Sequence, residues 1–262
     1  MGIVFSDDFF TAPLQQIRRV NRIVFVEDAH NKQFVLKYPR SPNHALNDAL
    51  GAEVGKSIGV NINDVKIFPP HDPSLSSVDI FPHHIKTLHT LVPGNEVRKM
   101  SAVITSFFSI RAGLNNKAKL ESLTTHKDLY KIIALDIFLN NSDRHNGNLF
   151  YDEENDHFYA IDMDAIFYKK CLLATKAGNF IKGLLKKKLS AQETTALKNL
   201  HKILDDLMEQ YPPEKLCELK KRLAAQADYA YSELEQETFR ELVEHNFNEI
   251  KRLQRRLERL IG

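Results

Sequence analysis

An aspartate and an asparagine five positions apart, followed by a second aspartate, are the residues of this sequence best suited to do chemistry. Asp143 and Asn148 lie in the segment NSDRHNGNLF, and Asp162 follows Asn148 by fourteen residues. A carboxylate can orient or deprotonate an attacking hydroxyl, and amide and carboxylate oxygens are the hard ligands that Mg²⁺ prefers. The pattern therefore indicates phosphoryl transfer from a nucleotide, which needs a carboxylate, a metal ion and a cationic side chain in one place.

The elements that must position these residues begin with a β-rich part. Alternating or continuous apolar residues predict strands, and small and apolar residues at helical spacing predict a helix at 44–58. The predicted strands are 14–20, Arg22–Glu27, Gln33–Tyr38, Val65–Phe68 and 85–92. Pro93 and Gly94 then interrupt the pattern, so we expect residues 1–93 to form the smaller lobe.

The second part, residues 94–262, is predicted to be mostly helical. Apolar residues recur every three or four positions at 98–114, at 119–140 and from about 175 to the end, with a break at Tyr211-Pro212-Pro213. Two short extended pieces, 148–151 and 158–161, flank an acidic turn and predict a hairpin that brings Asp162 back towards Asn148. Residues from about 190 to 262 are expected to form a C-terminal helical extension of this larger lobe.

This order of elements is kinase-like, and the motif carries the resemblance further. Asp-Arg-His-Asn-Gly-Asn resembles the catalytic loop of phosphoinositide 3- and 4-kinases, and Asp-x-His-x-x-Asn also resembles that of HipA-like and actin-fragmin-type kinases. The resemblance implies a two-lobed, α+β, protein kinase-like fold that binds ATP with Mg²⁺, or alternatively Mn²⁺. It implies that Asp143 is the catalytic-loop aspartate and that Asn148 and Asp162 hold the metal. His145 is either a participant in the catalytic loop or a structural support, and Asp164 is expected to share metal binding because Asp-Met-Asp replaces Asp-Phe-Gly.

A lysine and an acidic partner upstream are predicted to position the nucleotide. Lys37 ends the apolar stretch FVLK, which is similar to the Val-Ala-Ile-Lys strand whose lysine contacts the α- and β-phosphates in kinases. Glu53 lies sixteen residues later on the predicted helix and is the expected ion-pair partner of Lys37, with Asp48 on the same helix as its rival. The nucleotide is expected between the lobes, at the hinge from Val92 to Asn95.

Two groups of basic residues are candidates for binding anions. Arg18 and Arg19 stand between the first two predicted strands, where there is no glycine; they either cover the phosphates of the nucleotide or are exposed on an edge hairpin. Residues 165–192 contain seven lysines and no acid, so this segment either attracts a polyanion or is a solvated helix face. The polyanion-binding candidates are Lys182, Lys186, Lys187 and Lys188.

The resemblance implies a kinase whose acceptor is a protein Ser/Thr hydroxyl or a phosphoinositide, with an inositol phosphate as a candidate activator. Three alternatives stay open at this point. The fold could transfer AMP instead of phosphate, it could be an inactive pseudokinase that regulates a partner, or it could be a non-catalytic module that binds phosphoinositides. The basic segment is compatible with a peripheral membrane contact.

Composition narrows the class of protein. The 262 residues are 43% hydrophobic and 27% charged with a formal net charge of +2, which is typical of a folded domain and excludes a disordered tail. No run of eighteen apolar residues occurs, so no transmembrane helix is expected, and the first residues lack the pattern of a secretory signal. Two cysteines without a paired motif favour a soluble protein in a reducing cytosol. No nucleic-acid-binding module is recognisable.

The small lobe without a glycine loop resembles bacterial kinases, including those delivered into host cells.

Overall fold

The computed structural model of the chain describes residues 11–17, 22–96, 126–167 and 189–261. Its first part is a five-stranded sheet with the strand order β1-β2-β3-β5-β4, in which every neighbouring pair is antiparallel. The strands are β1 (Thr11–Ile17), β2 (Arg22–Glu27), β3 (Gln33–Tyr38), β4 (Val65–Phe68) and β5 (Lys86–Thr90). The predicted bounds of β2, β3 and β4 are confirmed, while β1 begins three residues earlier than predicted and is described only to residue 17.

The two faces of this sheet differ in chemistry. Alternate residues of the strands form an apolar core on one face, and Leu75 and Val78 from a loop cover this core. The strand residues of the core are Val24, Val26, Phe34, Leu36 and Leu88. The opposite face carries Lys37 on β3 with Thr87 and His89 on β5, all three buried. Because side chains alternate along a strand, these polar groups share one face. They point towards the helix that follows β3.

That helix, α1 (Pro42–Ser57), confirms the predicted helix with its start two residues earlier. The helix begins with a proline, which has no backbone N–H. This costs nothing at the first position, because an N–H there would have no partner within the helix. Every residue from Ala45 to Ala52 is buried, because α1 is covered by the sheet on one side and by the helical part on the other. Gly51 permits the closest of these approaches: a Cβ at this position would lie 2.4 Å from the Cβ of Met163. The helix thereby lies directly against the segment that contains Asp162.

The second part consists of helices around a small sheet. Its described helices are α2 (Lys127–Phe138), α3 (Ala191–Gln210), α4 (Pro213–Gln226) and α5 (Glu233–Ile261), and its strands are β6 (Asn95–Glu96), β7 (Leu149–Asp152) and β8 (His157–Ala160), in the order β6-β7-β8. The predicted hairpin is confirmed within one residue at each strand, and the break at Pro212 and Pro213 separates α3 from α4 as predicted. The predicted helix at 98–114 lies outside the described residues.

Apolar stripes hold this second part together. α2 is buried along almost its whole length, and α3, α4 and α5 each turn one apolar face towards it or towards each other. A capping box starts α3, because the Ser190 hydroxyl accepts from the Glu193 backbone N–H while the Glu193 carboxylate accepts from the Ser190 N–H. In the part of the chain that the structure describes, no helix is long and apolar enough to span a membrane.

The connection between the two parts depends on a glycine. Gly94 has a φ of +86°, and a Cβ there would lie 2.3 Å from the carbonyl oxygen of Tyr151. The next residue, Asn95, pairs with Tyr151 as β6 joins β7. Only glycine allows both the left-handed backbone and this close approach. The predicted hinge segment is therefore fixed to the hairpin that precedes Asp162.

Replacing Gly94 by alanine should destabilise the protein more than the same change at Gly59. Gly59 also has a positive φ, of +67°, but the nearest atom to its added Cβ is the flexible end of Lys131 at 3.3 Å. Each substitution forces an L-residue into left-handed backbone, at about 1–2 kcal/mol, and only Gly94→Ala adds a clash with main chain. Urea unfolding of both variants measures the difference, and equal losses would contradict the close approach at the hinge.

Candidate active site

Lys37 lies at the centre of a buried ionic cluster that joins three elements. Its Nζ is 3.1 Å from Asp48 Oδ2 on α1 and 3.1 Å from Asp162 Oδ1, two residues beyond β8. The Lys37 side chain is 10% exposed, that of Asp48 2% and that of Asp162 21%. Burial alone would lower the pKa of Lys37, but the charges of Asp48, Asp162 and Asp164 outweigh burial and raise this pKa above its ordinary value. Lys37 is therefore held as a fixed cation.

Asp48, and not Glu53, is the helical partner of Lys37. The second carboxylate oxygen of Asp48, Oδ1, accepts the backbone N–H of Met163 at 2.8 Å, so this one side chain connects α1 to both β3 and the Asp162 segment. The predicted pair between Lys37 and Glu53 is wrong, because Glu53 is exposed and paired with Arg222 of α4. Five residues along a helix turn the side chain by about 140°, which places Glu53 on a different face from Asp48.

His89 completes the buried wall beside Asp48 and was not a sequence candidate. Its Nδ1 lies 2.7 Å from the Asn63 amide nitrogen, which can only donate, so Nδ1 accepts and the ring proton resides on Nε2. Nε2 is 2.8 Å from the Thr87 hydroxyl and 3.5 Å from Asp48 Oδ2. Burial, and secondarily the charge of Lys37, lowers the pKa of His89 well below its usual value. The histidine is therefore neutral and adds no second cation to the cluster.

A fully buried arginine fixes the loop that contains Asp143 and Asn148. Arg144 donates through Nε and Nη2 to the two carboxylate oxygens of Asp136 on α2, at 2.9 and 3.1 Å. Its Nη1 donates to the carbonyl oxygens of Asn148 and Ile161 at 2.5 and 2.7 Å. This bidentate pair positions the loop with more precision than a point charge allows. The arginine was present in the motif, but the buried aspartate that it needs lies eight residues upstream and gave no signal.

The same contacts bring Asn148 next to the start of the Asp162 turn. The backbone N–H of Ile161 donates to the Asn148 carbonyl at 3.2 Å, and Arg144 binds the carbonyls of both residues. Asn148 precedes β7 and Ile161 follows β8, so the hairpin closes at this point. The sequence prediction that a hairpin returns Asp162 towards Asn148 agrees with this backbone arrangement.

Asp143 and His145 lie on the exposed side of the loop. The carboxylate of Asp143 is 55% exposed, and its backbone N–H donates to Asn141 Oδ1 at 3.0 Å. His145 accepts the backbone N–H of Gly147 at Nδ1, at 2.9 Å, while its Nε2 is 4.0 Å from Asp143 Oδ2, too far for a hydrogen bond. His145 thus caps the short turn that follows it, and the Asp143 carboxylate faces solvent.

The donor set suits a hard divalent cation shared with phosphate oxygens. Among the described residues, no hydrogen bond reaches Asn148 Oδ1 or Asp162 Oδ2, because the Asn148 amide nitrogen binds the Asp143 carbonyl and Lys37 takes Asp162 Oδ1. The described ranges hold no group of three or more His, Cys, Asp or Glu able to bind a metal unaided. Mg²⁺ usually takes one or two carboxylates and completes its shell with water and phosphate. The residues present fit that pattern.

The backbone at Asp162 has an unusual conformation. Its φ is +61°, in the left-handed region that aspartate tolerates better than most residues. Asp48 holds the next peptide through the Met163 N–H. Strained backbone that the surrounding contacts over-determine is common at functional sites. The turn therefore directs the Asp162 carboxylate to Lys37 at a conformational cost that Asp48 helps to offset.

The remaining sequence candidates lie in three places. Asp164 is close enough to Lys37 to raise the pKa of that lysine, and Val92 and Asn95 lie two residues before and one residue after Gly94. The basic candidates Arg18, Arg19, Lys182, Lys186, Lys187 and Lys188 all lie outside the part of the chain that the structure describes. Their predicted contacts with phosphates or a polyanion stay predictions.

Comparisons with known proteins bear on the fold. Neither protein-family profiles nor curated protein sequences give a match to this chain. Solved structures do match: the crystal structure of the Helicobacter pylori proinflammatory kinase CtkA aligns with a TM-score of 0.59 over 97% of this chain and 97% of that one, at 12% identity. A likeness at this identity shows the fold alone. The chain has a kinase-like α+β fold with an N-terminal sheet and a helical C-terminal region, and the predicted fold class is confirmed.

Asp48→Ala should destabilise the protein far more than Glu53→Ala. Removing Asp48 takes one of two carboxylates from a buried lysine and leaves the Met163 N–H without its acceptor, at about 3–5 kcal/mol for a broken buried pair. Removing Glu53 breaks an exposed pair with Arg222, at about 0–1 kcal/mol. Urea unfolding measures both free energies, and similar losses for the two variants would refute the assignment of Asp48.

Proposed function

We propose that this protein is a Mg²⁺- and ATP-dependent phosphotransferase that passes the γ-phosphate to a hydroxyl group. The observation that carries this proposal is the position of Lys37, which is held between Asp48 and Asp162 with the Asn148 loop hydrogen-bonded at the same turn. Phosphoryl transfer depends on positioning and electrostatic stabilisation, and a fixed cation beside metal-binding oxygens provides both. The kinase-like fold supports the same reaction class.

Each residue of the cluster has a distinct task in this proposal. Lys37 would bind the α- and β-phosphates, while Asn148 and Asp162 would hold the metal, with Asp164 as an additional ligand. A metal ion held by these residues would supply positive charge to the phosphate oxygens. The segment from Val92 to Asn95 would contact the nucleotide base. Arg18 and Arg19 would cover the phosphates in place of a glycine-rich loop.

The exposed carboxylate of Asp143 is the group available to the acceptor. It would accept a hydrogen bond from the attacking hydroxyl and orient the oxygen towards the γ-phosphorus. An acceptor can reach this carboxylate directly, since 55% of the side chain is exposed to solvent. We propose a protein Ser/Thr hydroxyl or a phosphoinositide as the acceptor. His145 supports the loop through its turn and is not required to carry a proton.

Regulation is proposed for the basic segment that follows Asp162. Seven lysines without an acid in residues 165–192 attract polyanions, and an inositol phosphate or an acidic lipid surface supplies that charge. The segment follows the Asp162 turn in sequence, and we propose that a polyanion bound to it favours turnover. The described cysteine, Cys217, is a free thiol and forms no disulfide. Free thiols are typical of reducing compartments, so we propose a cytosolic location, that of a host cell included.

Asp162→Asn and Asp143→Asn should separate metal binding from acceptor activation. Loss of the Asp162 carboxylate should abolish Mg²⁺-dependent ATP binding and transfer together. Asp143→Asn should keep the ATP affinity of the wild type and lower turnover by about 10²–10⁴-fold, because it acts only on the acceptor hydroxyl. ATP affinity is measured by calorimetry with Mg²⁺, and transfer with γ-labelled ATP against phosphoinositides and generic proteins.

The same assay tests the proposed reaction itself. Product mass distinguishes an added phosphate from an added AMP, and the second product would replace this proposal by adenylyl transfer. ATP that binds with Mg²⁺ while label appears on no acceptor would favour a pseudokinase. Asp162→Asn with unchanged ATP affinity and turnover would remove the metal assignment.

Reversing the charge of Lys186, Lys187 and Lys188 to Glu should remove the proposed regulation. Inositol hexakisphosphate should raise wild-type turnover at low salt and lose that effect as salt rises, since exposed charges are screened over about 8 Å at physiological ionic strength. The triple variant should not respond. A response equal to that of the wild type would mean that the segment is a solvated surface.

A further inference from the structure

Lys220 of α4 is a buried lysine whose contacts the proposed reaction does not use. It is 4% exposed, and its Nζ donates to Asn47 Oδ1 on α1 at 2.9 Å. The same Nζ lies 4.1 Å from the centre of the Phe239 ring and 5.9 Å from that of Tyr231. Within the described ranges no carboxylate forms an ion pair with it. A buried lysine with an amide and two aromatic faces as its partners is uncommon.

Asn47 carries this contact into the site. Its Nδ2 donates to the carbonyl oxygens of Asp164 and Ile166, at 3.0 and 3.1 Å. The neighbouring side chain on α1, Asp48, accepts the backbone N–H of Met163. Two adjacent residues of one helix therefore form three hydrogen bonds to the main chain that directly follows Asp162. Lys220 binds the only oxygen of the Asn47 side chain and so fixes which way this amide faces.

Burying a lysine costs free energy, so packing alone does not explain why a lysine stands at position 220. Burial lowers the pKa of Lys220 to about 7, with Glu235 acting in the opposite direction. An apolar side chain would fill the same space against Phe239 without a desolvation cost. What lysine provides, and methionine would not, is a donor that reaches Asn47.

We propose that Lys220 is a positioning residue of the phosphotransfer site, acting through Asn47 on the main chain that directly follows Asp162. The inference rests on the proposed function, because it assigns the C-terminal helices a part in that same site. Lys220 touches neither nucleotide nor acceptor; it orients the amide that holds the turn. Loosening the turn should weaken the metal site first, because Asp162 has a left-handed backbone that its neighbours must maintain.

The test compares Lys220→Met with Asn47→Ala, the double variant and Arg222→Met in the full chain. Methionine keeps the length and packing of Lys220 and removes its donor. Arg222→Met is the matched control, because Arg222 lies two residues further along α4 and also contacts α1, but through an exposed pair with Glu53. The first readout is the Mg²⁺ concentration that gives half-maximal binding of a fluorescent ATP analogue. The second is hydrogen exchange at the amides of Met163 and Ile166, and the third is turnover.

Lys220→Met should raise the Mg²⁺ requirement and lower turnover about tenfold, the scale seen when the support of a metal ligand is lost. High Mg²⁺ should restore part of the turnover, which a merely structural role would not produce. The Met163 and Ile166 amides should exchange faster in Lys220→Met and Asn47→Ala and at the wild-type rate in Arg222→Met. The double variant should be no worse than Asn47→Ala, because both changes break one chain of contacts.

Wild-type Mg²⁺ requirement and wild-type amide exchange in Lys220→Met would overturn the inference, as would additive losses in the double variant. Failure of the proposed function would be seen separately, in the wild type, which would then bind ATP with Mg²⁺ and transfer no phosphate. The binding and exchange measurements judge the link from Lys220 to the Asp162 turn in either case, since neither needs a transferred phosphate.

Discussion

The site depends on the carboxylate of Asp48. One of its oxygens binds Lys37 and the other binds the Met163 N–H, so α1, β3 and the Asp162 turn meet at a single buried group. α1 reaches that turn because Gly51, one helical turn further on, has no Cβ to collide with Met163. A buried charge is stable only when its partners are all in place. Displacing any of the three elements would therefore break at least one of these buried contacts, which ties the arrangement of the sheet and α1 to the geometry of the site.

A second buried pair fixes the other side of the site by a different means. Arg144 and Asp136 are both inaccessible to solvent, and Arg144 uses its remaining donors on the main-chain carbonyls of Asn148 and Ile161. The loop is thus positioned through its backbone and one buried side chain. Asp143, which lies between these anchors and solvent, needs no structural contact for its carboxylate. That division lets one loop be held firmly by buried contacts and still present an exposed carboxylate to solvent.

Local pattern predicted most of the fold. Alternation over β2 and β3 predicted their bounds, and the spacing after Asn148 predicted the hairpin that returns Asp162 towards it. The pattern FVLK pointed to Lys37, and its role and those of Asn148 and Asp162 stay predictions. The choice of Glu53 over Asp48 was wrong because α1 is buried on nearly all sides, so its apolar pattern marks no face. Gly51 and Gly55 were the available signal: small residues three and seven positions after Asp48 mark the face that approaches another element closely.

The polar contacts between α1 and the C-terminal helices could not be read from the sequence, and these helices show why such contacts matter. Their pattern predicted only a helical extension of the larger lobe. In the structure they contact α1 at three successive places along its length, through the pairs Asn43 with Glu235, Asn47 with Lys220 and Glu53 with Arg222. These partners are separated by 169 to 192 residues. The sheet on one side and these helices on the other fix the position of α1. Because α1 carries Asp48, they also fix the position of that carboxylate. The extension is therefore part of the same packed unit as the site, and its residues contribute to the geometry that Lys37 and Asp162 require.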